Sequence, residues 1–167
     1  MRTVNRRTAI VGMLAGVTAV PPGVALAGQE ATPVSAARER TRISKAARWE
    51  TEVYGRSDVE ALRELASPDF QSPYPGREPG LEALVGRLEN RAAYIAETYD
   101  SYDVVVDDAI ASGDAVVVRT VVLTGKGDRE ATVTGMSWYV FDADDLITTT
   151  WSLIDQETID DLLGLDG

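Results

Sequence analysis

Residues 131–155 constrain the fold most, because they read as two β-strands joined by an acidic turn. The first strand, residues 131–141, is rich in Thr, Val and aromatic residues, which suit a pleated, half-buried surface. The sequence Asp-Ala-Asp-Asp at 142–145 then breaks the apolar pattern. In the second strand a two-residue alternation predicts one shared face for Ile147, Thr149, Trp151, Leu153 and Asp155. This stretch therefore predicts an antiparallel hairpin.

Helices precede the sheet. Apolar residues recur at helical spacing in residues 34–54, again in 59–65, and along a third helix that opens near Pro79. One face of the first helix carries Ile43, Ala46, Ala47, Glu50, Val53 and Tyr54. From residue 102 the period changes to two, which predicts two further strands, and a brief helix closes the chain. Helices followed by a strand meander predict an α+β domain.

The N-terminal residues have the organisation of an export signal. In residues 1–27 the pair Arg6-Arg7 precedes an apolar run, and the run ends before a small-x-small cleavage sequence at 25–27. This pattern resembles a twin-arginine signal and predicts an exported protein, extracellular or at the cell surface. A general secretory signal or an uncleaved anchor is the alternative. Residues 28–33 read as a linker and residues 34–167 as the globular domain.

Composition excludes several classes of function. The net charge of −11, from 27 acidic and 16 basic residues, repels nucleic acid and anionic lipid, so neither is expected as a partner. An acidic surface with Lys only at positions 45 and 126 suits concentrated salt and predicts a halophilic source. The chain has no Cys and no His. Disulfides, thiolate nucleophiles, Ser-His-Asp triads and the usual zinc sites are therefore excluded.

Several short motifs in a fixed order carry a family resemblance. They lie at residues 54–58, 67–70, 80–84, 111–119, 133–135 and 151–155. Together they resemble the SnoaL-like group of the nuclear-transport-factor-2-like superfamily, which includes polyketide cyclases and ester cyclases. The resemblance implies an α+β cone, with N-terminal helices packed on a strongly bent antiparallel sheet around an apolar pocket. It also implies a homodimer formed through the sheet and chemistry that needs no cofactor.

Two residues are candidates for catalysis. Asp155 stands at the Trp-x-x-x-Asp position where the aldol-type cyclases of this group carry an acid–base aspartate; the alternative is that it caps the helix that follows. Arg119 interrupts an apolar strand and can hold a carboxylate or enolate oxygen. The alternative for Arg119 is a surface pair with a neighbouring acid.

Five aromatic or sulfur-containing side chains are candidates for the pocket. They are Tyr54, Tyr74, Met136, Trp138 and Trp151. Flat apolar walls suit a ring-shaped ligand, and a tyrosine can donate to a substrate oxygen. The paired aspartates fit a solvated surface, so no metal site is expected. Together with these side chains, the family resemblance implies a pocket for a small apolar or polycyclic molecule, with cyclase- or isomerase-type acid–base chemistry through Asp155. The alternative is a non-catalytic ligand-binding or dimerisation module on the same fold.

Overall fold

A computed structural model describes residues 35–71, 74 and 78–165. The predicted export signal, residues 1–27, and the linker, residues 28–33, lie outside these residues and stay predictions. The described helices are α1 (Ala36–Arg48), α2 (Val59–Leu65), α3 (Leu81–Thr98) and α4 (Gln156–Leu163), with the π-helical segment Trp49–Tyr54 directly after α1. The strands are β1 (Ser101–Ser112), β2 (Ala115–Lys126), β3 (Arg129–Phe141) and β4 (Ile147–Leu153). Within this part of the chain no helix is long and apolar enough to cross a membrane.

The strands form one antiparallel sheet in the order β1-β2-β3-β4. Buried and exposed side chains alternate along β2 and β3, so one face of the sheet packs under the helices and the other meets solvent. We call these the inner face and the outer face. Val118 and Tyr139 belong to the inner face, whereas Val117 and Trp138 belong to the outer face. The predicted α+β fold is confirmed.

A β-bulge at Thr148 changes the predicted faces of β4. Its neighbours Ile147 and Thr149 pair with consecutive residues of β3, which leaves Thr148 as one extra residue. An extra residue reverses the alternation beyond it. Ile147 is therefore buried on the inner face, while Trp151 and Leu153 are exposed on the outer face. The prediction that Ile147 shares a face with Trp151 and Leu153 is wrong.

Two apolar clusters occupy the inner face. The larger one joins the helices to the sheet around Trp49, which stacks on Phe70 at 5.7 Å between ring centroids and meets Tyr139 edge-on at 6.2 Å. Full burial of one such side chain contributes about 1.5–3 kcal/mol. The smaller cluster lies where Ile159 and Leu163 of α4 pack against the sheet.

Hydrogen bonds from Arg42 connect α1 to the predicted acidic turn at residues 142–145. Its buried guanidinium donates to Asp145 Oδ1 at 2.6 Å and to the backbone carbonyls of Gly113 and Asp142, at 2.5 and 3.0 Å. Burial alone raises the pKa of Asp145, but the bonds from Arg38 and Arg42 outweigh it and lower that pKa. The turn aspartates therefore hold the first helix on the sheet.

Candidate ligand pocket

A cavity of about 740 Å³ lies between α3 and the inner face of β4. Its apolar wall comes from both clusters, with Leu84 and Leu88 from the larger one and Tyr99 from the smaller one. The other residues of its wall are Tyr54, Tyr74, Arg87, Asn90, Arg91, Tyr94, Ile95, Tyr102, Thr150, Ser152, Ile154 and Gln156. The cavity therefore has a largely apolar wall that includes five tyrosines.

The structure places the two predicted pocket tyrosines in this wall. The Tyr54 hydroxyl lies 3.3 Å from Thr150 Oγ1. Burial, with a smaller contribution from the nearby Glu50, raises the pKa of Tyr54, so its hydroxyl stays protonated near neutral pH. The Tyr74 hydroxyl donates to the Ser152 carbonyl at 2.9 Å and accepts from the Ser152 amide at 2.6 Å. Both rings are fixed by β4.

A buried carboxyl lies behind the cavity wall. Glu50, in the π-helical segment, is fully buried and accepts a hydrogen bond from the Tyr139 hydroxyl, while its Oε2 has no partner among the described residues. Burial raises the pKa of Glu50, against the opposing influence of Ser137, Tyr139 and the charge of Arg91. Glu50 is thus biased towards the protonated form.

Ser137 lies between this carboxyl and the cavity wall in its effects. It lowers the pKa of Glu50, against the larger effect of burial. Its hydroxyl proton is donated to Ser152 Oγ at 2.9 Å, and Ser152 lines the cavity.

Asp155 lies at the start of α4, where it caps the helix. Its Oδ1 accepts from the Thr158 amide at 3.0 Å, and its Oδ2 accepts from the Thr158 hydroxyl at 2.7 Å. These bonds lower the pKa of Asp155, and the residue is exposed. The neighbours Ile154 and Gln156 line the cavity, but Asp155 does not. An exposed, stably ionised carboxylate matches the helix-capping alternative for Asp155.

Arg119 lies on the outer face of the sheet. Its Nη2 pairs with Asp107 Oδ2 at 2.6 Å, and about half of each side chain is exposed. Asp107 is itself the extra residue of a second bulge, between Val106 and Asp108 in β1. Arg119 and Asp155 are thus separate from each other and from the cavity wall, and the arrangement of Arg119 is that of a surface pair.

Met136, Trp138 and Trp151 also lie on the outer face. Their exposed fractions are 53%, 51% and 43%, and none of them lines the cavity. Trp138 and Trp151 are direct cross-strand partners. The sequence predicts these three residues as pocket lining, whereas the structure uses them to cover the opposite side of the sheet. Trp151 faces outward because the bulge reverses the alternation of β4. Met136 and Trp138 face outward because they alternate with the buried residues of β3.

The described residues contain no group of three or more carboxylates arranged to hold a metal ion. The cavity wall carries hydroxyls, amides and two guanidinium groups instead. This donor set suits an organic molecule with oxygen atoms better than a cation.

Comparison with known proteins places this geometry in a family. The model of the SnoaL-like domain matches residues 46–150. The chain belongs to the SnoaL-like domain family. The match begins in α1 and ends in β4, so it includes the π-helical segment and most of the cavity wall. No curated protein matches the sequence at a significant level.

Solved structures show the same fold at low sequence identity. TsrD from Streptomyces laurentii is 18% identical with a TM-score of 0.59, over 78% of this chain and 98% of that chain. The proposed SnoaL-like polyketide cyclase from Jannaschia sp. CCS1 is 17% identical with a TM-score of 0.61, over 81% and 100%. IdmH, the proposed polyketide cyclase from Streptomyces antibioticus, is 22% identical with a TM-score of 0.60, over 74% and 98%. The SnoaL-like domain is therefore an α+β cone of the nuclear-transport-factor-2-like type.

The site residues predicted from the sequence do not include Glu50. The sequence marks it by one signal, a carboxyl at a position of the first helix that otherwise carries apolar residues. The predicted residues also omit Arg87 and Arg91, one turn apart on α3. They flank the apolar stripe of that helix, which by itself indicates only core packing.

Proposed function

We propose that this SnoaL-like domain binds a small, largely apolar or polycyclic molecule in the cavity. The observation that carries the proposal is the open cavity of about 740 Å³ inside the cone. Ligand pockets usually have volumes of roughly 300–1,000 Å³ and combine apolar walls with a few fixed polar groups. Leu84, Leu88 and Ile95 supply the apolar wall, and the Tyr54 and Tyr74 hydroxyls supply fixed polar groups. Two of the similar structures are described as polyketide cyclases, which supports a ring-shaped ligand.

Ligand binding without catalysis is the simpler form of this proposal. The exposed, helix-capping position of Asp155 favours it over acid–base chemistry through that residue. The cyclase- or isomerase-type alternative is supported by a different carboxyl, Glu50, whose pKa is raised by burial. In that alternative Glu50 acts on a ligand through the Ser137 and Ser152 hydroxyls and is a positioning residue.

A thermal-shift screen tests binding and separates the two forms. Steroids, polyketide fragments and small esters are the probes, and each hit is repeated on Asp155→Asn and Glu50→Gln. Because Asn caps helices about as well as Asp, the first variant keeps the fold. A ligand at 100 times its dissociation constant adds about 2.7 kcal/mol of stability. We expect all three proteins to bind the same hits.

Turnover of a hit decides between binding and catalysis. No turnover supports a ligand-binding module. Turnover that survives Asp155→Asn, and whose pH profile changes in Glu50→Gln, supports the acid–base enzyme through Glu50. Turnover abolished by Asp155→Asn contradicts the assignment of Asp155 to helix capping alone. If no probe of any class binds, the ligand-pocket proposal fails.

Export of the domain is the second part of the proposal. The Arg6-Arg7 pair and the cleavage sequence that ends at Ala27 support secretion. N-terminal sequencing of protein from the culture medium is expected to begin at Gly28. Protein that stays inside the cell with residues 1–27 intact contradicts it.

A further inference from the structure

Two arginines stand in the wall of an otherwise uncharged cavity. Arg87 and Arg91 lie one turn apart on α3, and both side chains are half-buried. Of the described residues that line the cavity, these two are the charged ones, and no Asp or Glu is among them. The cavity wall is therefore cationic in a chain whose net charge is −11.

Neither arginine forms an ion pair with an acid of the described residues. In the described part of the chain, no carboxylate oxygen lies within 4.0 Å of the guanidinium of Arg87 or Arg91. By contrast, Arg48 pairs with Glu52 and Glu64 at 2.9 Å each. Of the ten described arginines five pair with an acid, and Arg87 and Arg91 are the unpaired ones that line the cavity, where a bound molecule can meet them.

Contacts with the backbone and a ring hold these groups towards the cavity. Arg91 donates to the Tyr54 carbonyl at 2.6 Å and to the Tyr102 hydroxyl at 2.7 Å, and its guanidinium lies 5.0 Å from the centre of the Tyr102 ring. Arg87 donates to the Glu78 carbonyl at 3.0 Å. Because a guanidinium has five N–H bonds, both retain donors for a ligand. Their positions are set before a ligand arrives, which reduces the entropic cost of binding.

We infer that the ligand of this pocket carries an anionic oxygen group, such as a carboxylate or an enolate, on an apolar ring body. This inference rests on the proposed function. The guanidinium groups of Arg87 and Arg91 bind the anion, for which their planar fork of donors is suited. Leu84, Leu88 and Ile95 contact the apolar body. The charged group sets the orientation of the ring in the cavity.

Two dyes that share a ring skeleton test the charge requirement. The probes are 8-anilino-1-naphthalenesulfonate, an anion, and N-phenyl-1-naphthylamine, which is neutral. Dissociation constants are measured by fluorescence titration at low salt, where screening is weakest. The sulfonate stands in for the anionic group of the ligand.

Arg87 is the residue to change, because it makes one hydrogen bond within the described residues, whereas Arg91 bonds both Tyr54 and Tyr102. Arg87→Gln is expected to weaken the anionic dye at least about tenfold, because a hydrogen bond to a charged group is lost. The neutral dye is expected to change less than about twofold, since it makes no ionic contact. Arg87→Lys keeps the charge and restores most of the affinity. Arg119→Gln removes a matched charge from the outer face and is expected to change neither dye.

The possible outcomes are distinguishable. If the neutral dye binds and the anionic dye does not, or if Arg87→Gln weakens both equally, the inference fails and the proposed function stands. Weakening of the anionic dye by Arg119→Gln places that dye on the outer face and also overturns the inference. If neither dye binds, both the inference and the proposed pocket are contradicted.

Discussion

At the scale of single residues, Glu50 is the most unusual group in the described domain. It is a fully buried carboxyl inside a π-helical segment, with one oxygen bonded to Tyr139 and the other without a partner in the part of the chain described. π-Helical turns inside α-helices are rare and are frequent at functional sites. An unsatisfied buried polar atom costs about 1–3 kcal/mol, so this oxygen lowers the stability of the folded domain. That cost is consistent with a functional role for Glu50.

The buried carboxyl predicts a pH-dependent effect of Glu50→Gln. The pKa of Glu50 is raised in the folded state, so its stability contribution is fully present below the unfolded-state pKa. This contribution is lost as pH rises through the folded-state value. Gln stays neutral, so the variant is expected to gain stability relative to the natural protein as pH rises above the unfolded-state pKa of a glutamate, about 4.3. Each unit of pKa shift corresponds to about 1.4 kcal/mol.

Urea unfolding of both proteins at several pH values measures this difference. Exposed Glu60 supplies the control, because Glu60→Gln makes the same substitution outside the core. A Glu50→Gln difference that is independent of pH, that falls as pH rises, or that Glu60→Gln reproduces contradicts the role assigned to the buried Glu50.

At the scale of elements, the sequence predicted the order of helices and strands correctly, because both periodicities are strong. It did not predict which side of β4 faces the pocket. One extra residue at Thr148 exchanges the inner and outer faces for the rest of β4. An alternating pattern of residue types does not show where such a bulge lies. The exposed positions of Trp151 and Leu153 follow from this single insertion.

Gly135, in the motif at residues 133–135, allows two strands to pack closely. It lies on the inner face of β3, and a Cβ there would lie 2.7 Å from Ile154 Cγ1 and 3.0 Å from the Leu153 carbonyl oxygen. The glycine therefore allows the end of β4 to approach β3 closely, and this approach positions Ile154 in the cavity wall.

Two glycine-to-alanine changes are expected to have opposite effects. Gly135→Ala crowds Ile154 and the backbone of β4, which should destabilise the domain by about 1–3 kcal/mol. Gly86→Ala lies in α3 with no neighbouring atom within 4 Å of the added Cβ, and should stabilise it by about 0.5–1 kcal/mol. Chemical denaturation of both variants measures the two changes. Equal effects of the two substitutions would show that Gly135 is not needed for close packing.

At the scale of the whole molecule, the outer face of the sheet is a candidate for an interface. Met136, Trp138, Trp151 and Leu153 are each between 43% and 68% exposed, and they are neighbours on β3 and β4. Exposed apolar patches of this kind mark protein contacts. This placement supports the proposal of a homodimer formed through the sheet.

Replacement of Trp138 by Lys is expected to weaken that dimer at least about tenfold, because aromatic side chains often dominate interface energies. Sedimentation equilibrium at several protein concentrations measures the effect. Leu162→Lys is the matched control, since Leu162 is 51% exposed on α4 and away from this face. A protein that is monomeric at all concentrations, or a dimer equally weakened by both variants, argues against the sheet-mediated homodimer.

The proposed ligand enters the cone and does not bind the apolar outer face. Methyl NMR during titration with N-phenyl-1-naphthylamine distinguishes these two sites, because the two surfaces carry separate sets of methyl groups. We predict chemical-shift changes at Leu88, Ile95 and Ile154, which line the cavity. We predict none at Ile110, Val117 and Leu153, which are exposed outside it. Shifts confined to the second set would contradict the assignment of the cavity as the ligand site.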